Sequence, residues 1–168
     1  MNTAVNAIIE QFHTIQSGKP WIGSSYRSKL ADITEDLVFI RPLENMHSIA
    51  EIISHLTLWR EEAILKIKSG TGSKTDDCEE NWLNSEKLQK KGWHSIISAY
   101  HNSLKDLIYL LEDKDDSFLT EKYYDTDFKG FYEYQFLLYG ILHHDIYHLG
   151  QLGIILKFLK EKNPSTAM

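Results

Sequence analysis

The longest apolar pattern in the chain runs from about Phe131 to Lys162 and predicts a single helix ended by Asn163-Pro164. At roughly 100° per residue, Leu137, Ile141, His144, His148, Leu152, Ile155 and Leu159 fall within about 40° of one line. Two histidines therefore occupy the middle of the helix's most apolar face, where an imidazole needs a hydrogen-bond partner or a shared ion to offset the loss of water.

Three more helices follow from the same spacing rule. Val5, Ile8, Ile9, Phe12 and Ile15 mark a helix from about Thr3 to Ser17, stopped by Gly18-Lys19-Pro20. Ser48 and Glu51 form a capping box, the hydroxyl accepting from a free amide and the carboxylate reaching back to the cap amide. A helix predicted from there holds Ile49, Ile52, Ile53, Leu56, Ala63, Ile64 and Ile67 on one face as far as Ser69-Gly70. Trp93, Ile96, Ile97, Tyr100, Leu104, Leu107, Ile108 and Leu111 mark another, closed by the acidic run Glu112 to Asp116. Residues Trp21 to Pro42 read as a connection with a short helix around Ser25 to Ala31, and Thr71 to Glu80 as a solvated loop carrying Cys78. Tyr123 to Phe128 form an aromatic connection.

Three prolines and nine glycines in 168 residues supply too little turn chemistry for a β-sandwich or barrel. The expected fold is all-α, an antiparallel four-helix bundle with long first and third connections, formed as one domain over residues 1–168. A net charge of −6 without a block of Lys or Arg argues against nucleic acid as a partner. No stretch approaches the roughly 18 apolar residues of a membrane span, and the first residues lack the basic and apolar regions of a secretory signal. Cys78 is the only cysteine, which excludes an internal disulfide and suits a reducing compartment. A soluble cytoplasmic protein is expected.

His144 and His148 stand four residues apart, so one helical turn brings both rings to one side. This spacing matches the outer positions of the zincin motif HExxH, but Asp145 stands where that motif has its general-base glutamate, and a zincin peptidase is not supported. A third ligand must come from another helix, and His55 borders the apolar stripe of the second long helix between Ile52 and Trp59. Three histidines on two helices would leave positions of a metal open for water or substrate, which points to catalysis rather than a structural role. The alternative for His55 is a buried imidazole bonded to a carbonyl. Among the other five, His13, His94 and His101 sit with polar neighbours, and His143 lies about 100° from His144 on the wheel. His47 precedes a helix cap and is either solvated there or at a pocket mouth. Asp145 and Gln151 flank the histidine line and are candidates to orient an imidazole through its second nitrogen, with surface placement the alternative.

The segments HSIAEIISHL (residues 47–56) and YGILHHDIYHLGQ (139–151), preceded by GKPW at 18–21, resemble the DinB-like superfamily, including its YfiT-type members described as metal-dependent hydrolases. The similarity covers nearly the whole chain. It implies a four-helix bundle, a frequent homodimer, and nickel or zinc held by His55, His144 and His148. It also implies a small-molecule substrate and one of three roles. In a hydrolase the ion would polarise a carbonyl and activate water. A thiol S-transferase of the bacillithiol or mycothiol kind would use the ion to lower the pKa of a low-molecular-weight thiol. The third role is a metal-bound binding or stress module without turnover. The residues identify no catalytic base: Asp145, Glu44 and His47 are remote candidates, and Arg41, Arg60 and Lys129 are candidates to meet an acidic thiol at the pocket mouth.

Overall fold

The computed structural model describes residues 2–31 and 33–162. In chain order its elements are α1 (Thr3–Ser17), α2 (Tyr26–Leu30), α3 (Glu35–Val38), α4 (Ile49–Ser69), α5 (Ser85–Lys91), α6 (Trp93–Glu112), a 3₁₀ turn (Asp116–Thr120), β1 (Lys122–Asp125), β2 (Gly130–Glu133) and α7 (Tyr134–Lys162). The chain is mostly helical, as the apolar spacing predicts. Helix α4 packs on both α6 and α7, and α1 packs on α6 and α7. One apolar cluster runs through all four, with Phe12, Ile53, Leu107 and Leu152 among its buried members. The predicted stop at Asn163-Pro164 lies outside the described residues.

The helix ends follow local chemistry. The Ser48 hydroxyl accepts from the Glu51 amide at 3.3 Å, and the Glu51 carboxylate accepts from the Ser48 amide at 2.7 Å. This is the reciprocal box expected there. Gly70 closes α4 at φ 73°, a left-handed conformation that glycine reaches without strain. Helix α1 is capped from a distance: the Asp116 carboxylate accepts from the amides of Thr3, Ala4 and Val5 at 2.9 to 3.1 Å. Three otherwise orphaned donors are thereby satisfied at the positive end of the helix dipole.

Two elements depart from the sequence expectation. The aromatic connection pairs as an antiparallel hairpin, Tyr123 opposite Tyr132 and Tyr124 opposite Phe131, so α7 begins at Tyr134 and not at Phe131. Alternating burial along β1 hides Tyr123 and Asp125 while Lys122 and Tyr124 face out. Helix α5 buries only Leu88 and is announced by its Asn84 cap rather than by any apolar period.

The segment after α4 is largely exposed, as expected, but it is anchored to the helix. Glu62, buried in α4, accepts from the Ser73 amide at 2.7 Å, the Ser73 hydroxyl at 3.1 Å and the Lys74 amide at 3.1 Å. Gly72 passes so close that a Cβ there would sit 2.1 Å from Glu62 Oε1. Residues 71–82 are thus held against α4, and they form one wall of the site below. Gly153 faces Lys29 in α2, whereas a Cβ on Gly150 would meet nothing within 4 Å, so neither glycine brings a second long helix close.

Candidate metal centre

Helix α7 presents His144 and His148 one turn apart, and α4 presents His55 across from them. His55 Nε2 lies 2.9 Å from His144 Nε2, and His148 Nε2 lies 3.0 Å from the same atom. The three ligand atoms fall within 4.8 Å of one another. Two nitrogens bound at right angles to one ion at about 2.1 Å stand about 3 Å apart, so the two shorter separations suit a shared divalent cation.

The outer nitrogens decide which face each ring offers. His55 Nδ1 lies 3.0 Å from the Asn81 carbonyl oxygen, which can only accept, so the proton of the neutral ring sits on Nδ1. His148 Nδ1 donates likewise to Gln151 Oε1 at 2.7 Å. Both rings therefore turn an Nε2 lone pair towards His144, whose own N–H could satisfy only one of them. A cation satisfies all three lone pairs together, and the donor set of three imidazoles fits zinc or nickel.

The electrostatics agree with ligation. Burial, then the neighbouring His148 and His55, holds His144 down to about 3. Burial and His55 hold His148 down to about 4, against the bond it donates to Gln151. Burial also lowers His55. Neutral imidazoles are the state that binds metal.

Trp82 closes one side of the centre. Its ring stacks on His55 at 3.9 Å between centroids and on His47 at 3.7 Å, both within 7° of parallel, so the indole is sandwiched between two imidazoles. Asn81 holds this wall in place. Its side-chain oxygen accepts from Trp59 Nε1 at 2.9 Å, and its amide nitrogen donates to the Asp76 carbonyl at 2.7 Å. Sequence reasoning missed Asn81 and Trp82, because no periodicity marks a loop and a carbonyl contact is independent of residue type.

The remaining candidates divide. Gln151 orients an imidazole as expected. Asp145 does not, and it is not on the surface: it is buried and accepts from Arg60 Nη2 at 2.7 Å. Arg60 in turn is 1% exposed, with its guanidinium over the Tyr100 ring and Nη2 also donating to the Tyr100 hydroxyl at 3.2 Å, so it cannot meet a ligand at a pocket mouth. The pair crosses from α4 to α7 beside His144. Arg41 is engaged by the Glu51 carboxylate. Glu44 is exposed, and Lys129 is exposed in the hairpin turn. His13, His94, His101 and His143 are exposed as well. His47 is half-buried against Trp82, and its Nδ1 has no partner among the described residues.

His55 and His144 open onto a cleft of about 570 Å³ between α4, α7, the hairpin and the 76–82 segment. Cys78 does not line it.

Comparison with known proteins identifies the family. The profile of the DinB superfamily matches residues 24–152, a span that includes α4, the hairpin and both histidines of α7. The chain belongs to the DinB superfamily. Among solved structures, the DinB-like protein YjoA of Bacillus subtilis superposes with a TM-score of 0.61 at 16% identity, covering 94% of this chain and 92% of that one. At that identity the likeness speaks for the fold alone. No curated protein gives a significant match. Among the described residues of this DinB-superfamily chain, no helix is long and apolar enough to cross a membrane.

Proposed function

We propose that this chain is a metal-dependent enzyme, hydrolytic in type, in which His55, His144 and His148 hold zinc or nickel through Nε2 and the adjoining cleft receives a small molecule. The observation that carries the reading is the convergence of three Nε2 atoms, with tautomers set by Asn81 and Gln151, at a point open to the cleft. A structural site closes all positions of its ion with protein groups, whereas a three-histidine site leaves room. Bound there, a divalent ion supplies Lewis acidity, polarising a carbonyl and making water acidic enough to react at neutral pH. The chain keeps the imidazoles neutral by burial and orients them through their outer nitrogens. Trp82 and Trp59 shield the centre from bulk water. Asp76, which lines the cleft and whose charge reaches His55, is the carboxylate we assign to accept a proton. Asp145 is committed to Arg60 and Glu44 does not line the cleft, so neither serves.

Transfer to or from a thiol cofactor is the second reading. Cys78 stands outside the cleft, so in that reading the thiolate comes from a bound molecule. The test is metal reconstitution followed by two parallel panels, one of esters and amides, the other of bacillithiol or mycothiol with an electrophile. Turnover on the first panel, lost in His144→Ala, is expected. Turnover on the second alone establishes the transferase, and tight metal binding with neither establishes a binding module.

A further inference from the structure

The cleft has a second polar end, remote from the histidines. His55, Trp59 and Lys66 share one face of α4, and at 1.5 Å per residue Lys66 stands about 16 Å along the helix from His55. Lys66 lines the cleft although it is only 4% exposed. Its ammonium donates to Asp125 Oδ2 at 2.8 Å and lies 3.9 Å from Glu62. No second hydrogen bond holds it among the described residues. An ammonium carries three N–H groups, so donors remain for a ligand.

Its two carboxylate neighbours are already spent. Asp125 Oδ2 also accepts from the Tyr123 hydroxyl at 3.2 Å, and Oδ1 accepts from the amides of Asp127 and Phe128 at 3.0 Å each. Glu62 is committed to Ser73 and Lys74. This end therefore offers donors in search of an acceptor. The charge around it selects which acceptor. Asp76, Asp125 and Asp127 face the single charge of Lys66, which is itself paired with Asp125. The net deficit of two charges is the one a divalent ion on the histidines would cancel, so the loaded cleft offers no net charge to favour either an anion or a cation. Between the two ends the surface is aromatic, from Trp59, Trp82, Phe128 and Phe136.

We infer that the cleft takes an uncharged molecule with an apolar or aromatic body, its carbonyl or hydroxyl acceptor held by Lys66 and its opposite end directed at the three histidines. Lys66 is then a specificity-determining residue. The direction of the ligand rests on the reading of the histidines as the reacting centre; the acceptor site at Lys66 does not. Gly140 provides a clean way to close the cleft. It lines the cavity from α7, and a Cβ there would meet nothing within 4 Å, so a larger side chain starts into the cavity unobstructed.

Three probes of matched length separate the possibilities: 4-phenylbutanamide, 4-phenylbutanoate and 4-phenylbutylammonium. Each is titrated into the full chain, zinc-loaded and chelator-treated, with binding followed by tryptophan fluorescence and calorimetry. The amide is expected to bind at least tenfold more tightly than either ion. Gly140→Leu should lose all three at unchanged zinc content and a thermal midpoint no lower than that of the wild type, and Lys66→Met should lose the preference for the amide. The inference is overturned if either ion binds as well as the amide, if none of the three binds, or if Gly140→Leu binds like the wild type. Zinc uptake in the same samples tests the metal reading separately. A chain that binds amide without zinc refutes that reading alone, and one that binds zinc without amide refutes only this inference.

Discussion

Removing the acceptor at Gln151 tests whether the outer hydrogen bonds prepare the centre. Gln151→Leu deletes the bond that His148 Nδ1 donates at 2.7 Å and leaves a ring that is 3% exposed without its partner. Two costs add. The proton is no longer pinned to Nδ1, so part of the population carries it on Nε2 and cannot ligate. The ring also loses a hydrogen bond that strengthens as the imidazole shares its lone pair with a cation. A bond of that kind is worth about 1.5 to 3 kcal/mol, and at about 1.4 kcal/mol per factor of ten the dissociation constant should rise about 10- to 100-fold. Gln151→Glu keeps an acceptor and should stay close to wild type, and His101→Ala, on an exposed ring, should not change affinity. Competition against a chromogenic zinc chelator measures all three. Equal affinity in Gln151→Leu and the wild type refutes the argument that this bond sets the tautomer.

Other expectations follow from the same geometry. Metal-free protein should lose stability as pH falls from about 6.5 towards about 4, because the unfolded chain protonates histidines that the fold holds at about 3 and about 4. The unfolded state binds the extra protons, so the loss reaches up to about 1.4 kcal/mol per pH unit for each such ring, with no contribution above that window. Denaturant midpoints in chelator that stay level from pH 7 to pH 5 would contradict it. Zinc should alter tryptophan emission through the indole stacked on His55, and Trp82→Phe should remove most of the response; an undiminished signal places the reporter elsewhere. Arg60→Met should cost about 3 to 5 kcal/mol by leaving Asp145 buried and unpaired, and adding Asp145→Leu should recover much of it. A double variant no better than the single one in chemical denaturation would show that the pair is not the source of the loss.

Periodicity located the four long helices because each buries one stripe, and the same rule placed His144 and His148 inside. The capping box at Ser48 and the glycine at 70 bounded α4 almost to the residue. What escaped is long-range or carried by backbone. Asp116 caps α1 across more than a hundred residues, and no local pattern encodes that. Asn81 fixes His55 through a carbonyl, which any residue possesses. The hairpin was concealed because its aromatic residues suit a helix start as well as a strand, and pairing is decided by the turn that Asp125 organises. Asp145 misled for a related reason: on a wheel it flanks the histidines, but its charge is claimed by Arg60, whose burial no helical projection reveals.

Two glycines described above have opposite mutational fates. Position 72 is shut, since any side chain collides with the carboxylate that ties the loop to α4. Position 140 is open: a helix interior normally favours alanine over glycine by about 1 kcal/mol, and an added Cβ would meet nothing within 4 Å. Redesign of the pocket can therefore begin at 140, where successively larger residues would trim the accepted ligand while helix propensity improves and the histidines stay untouched.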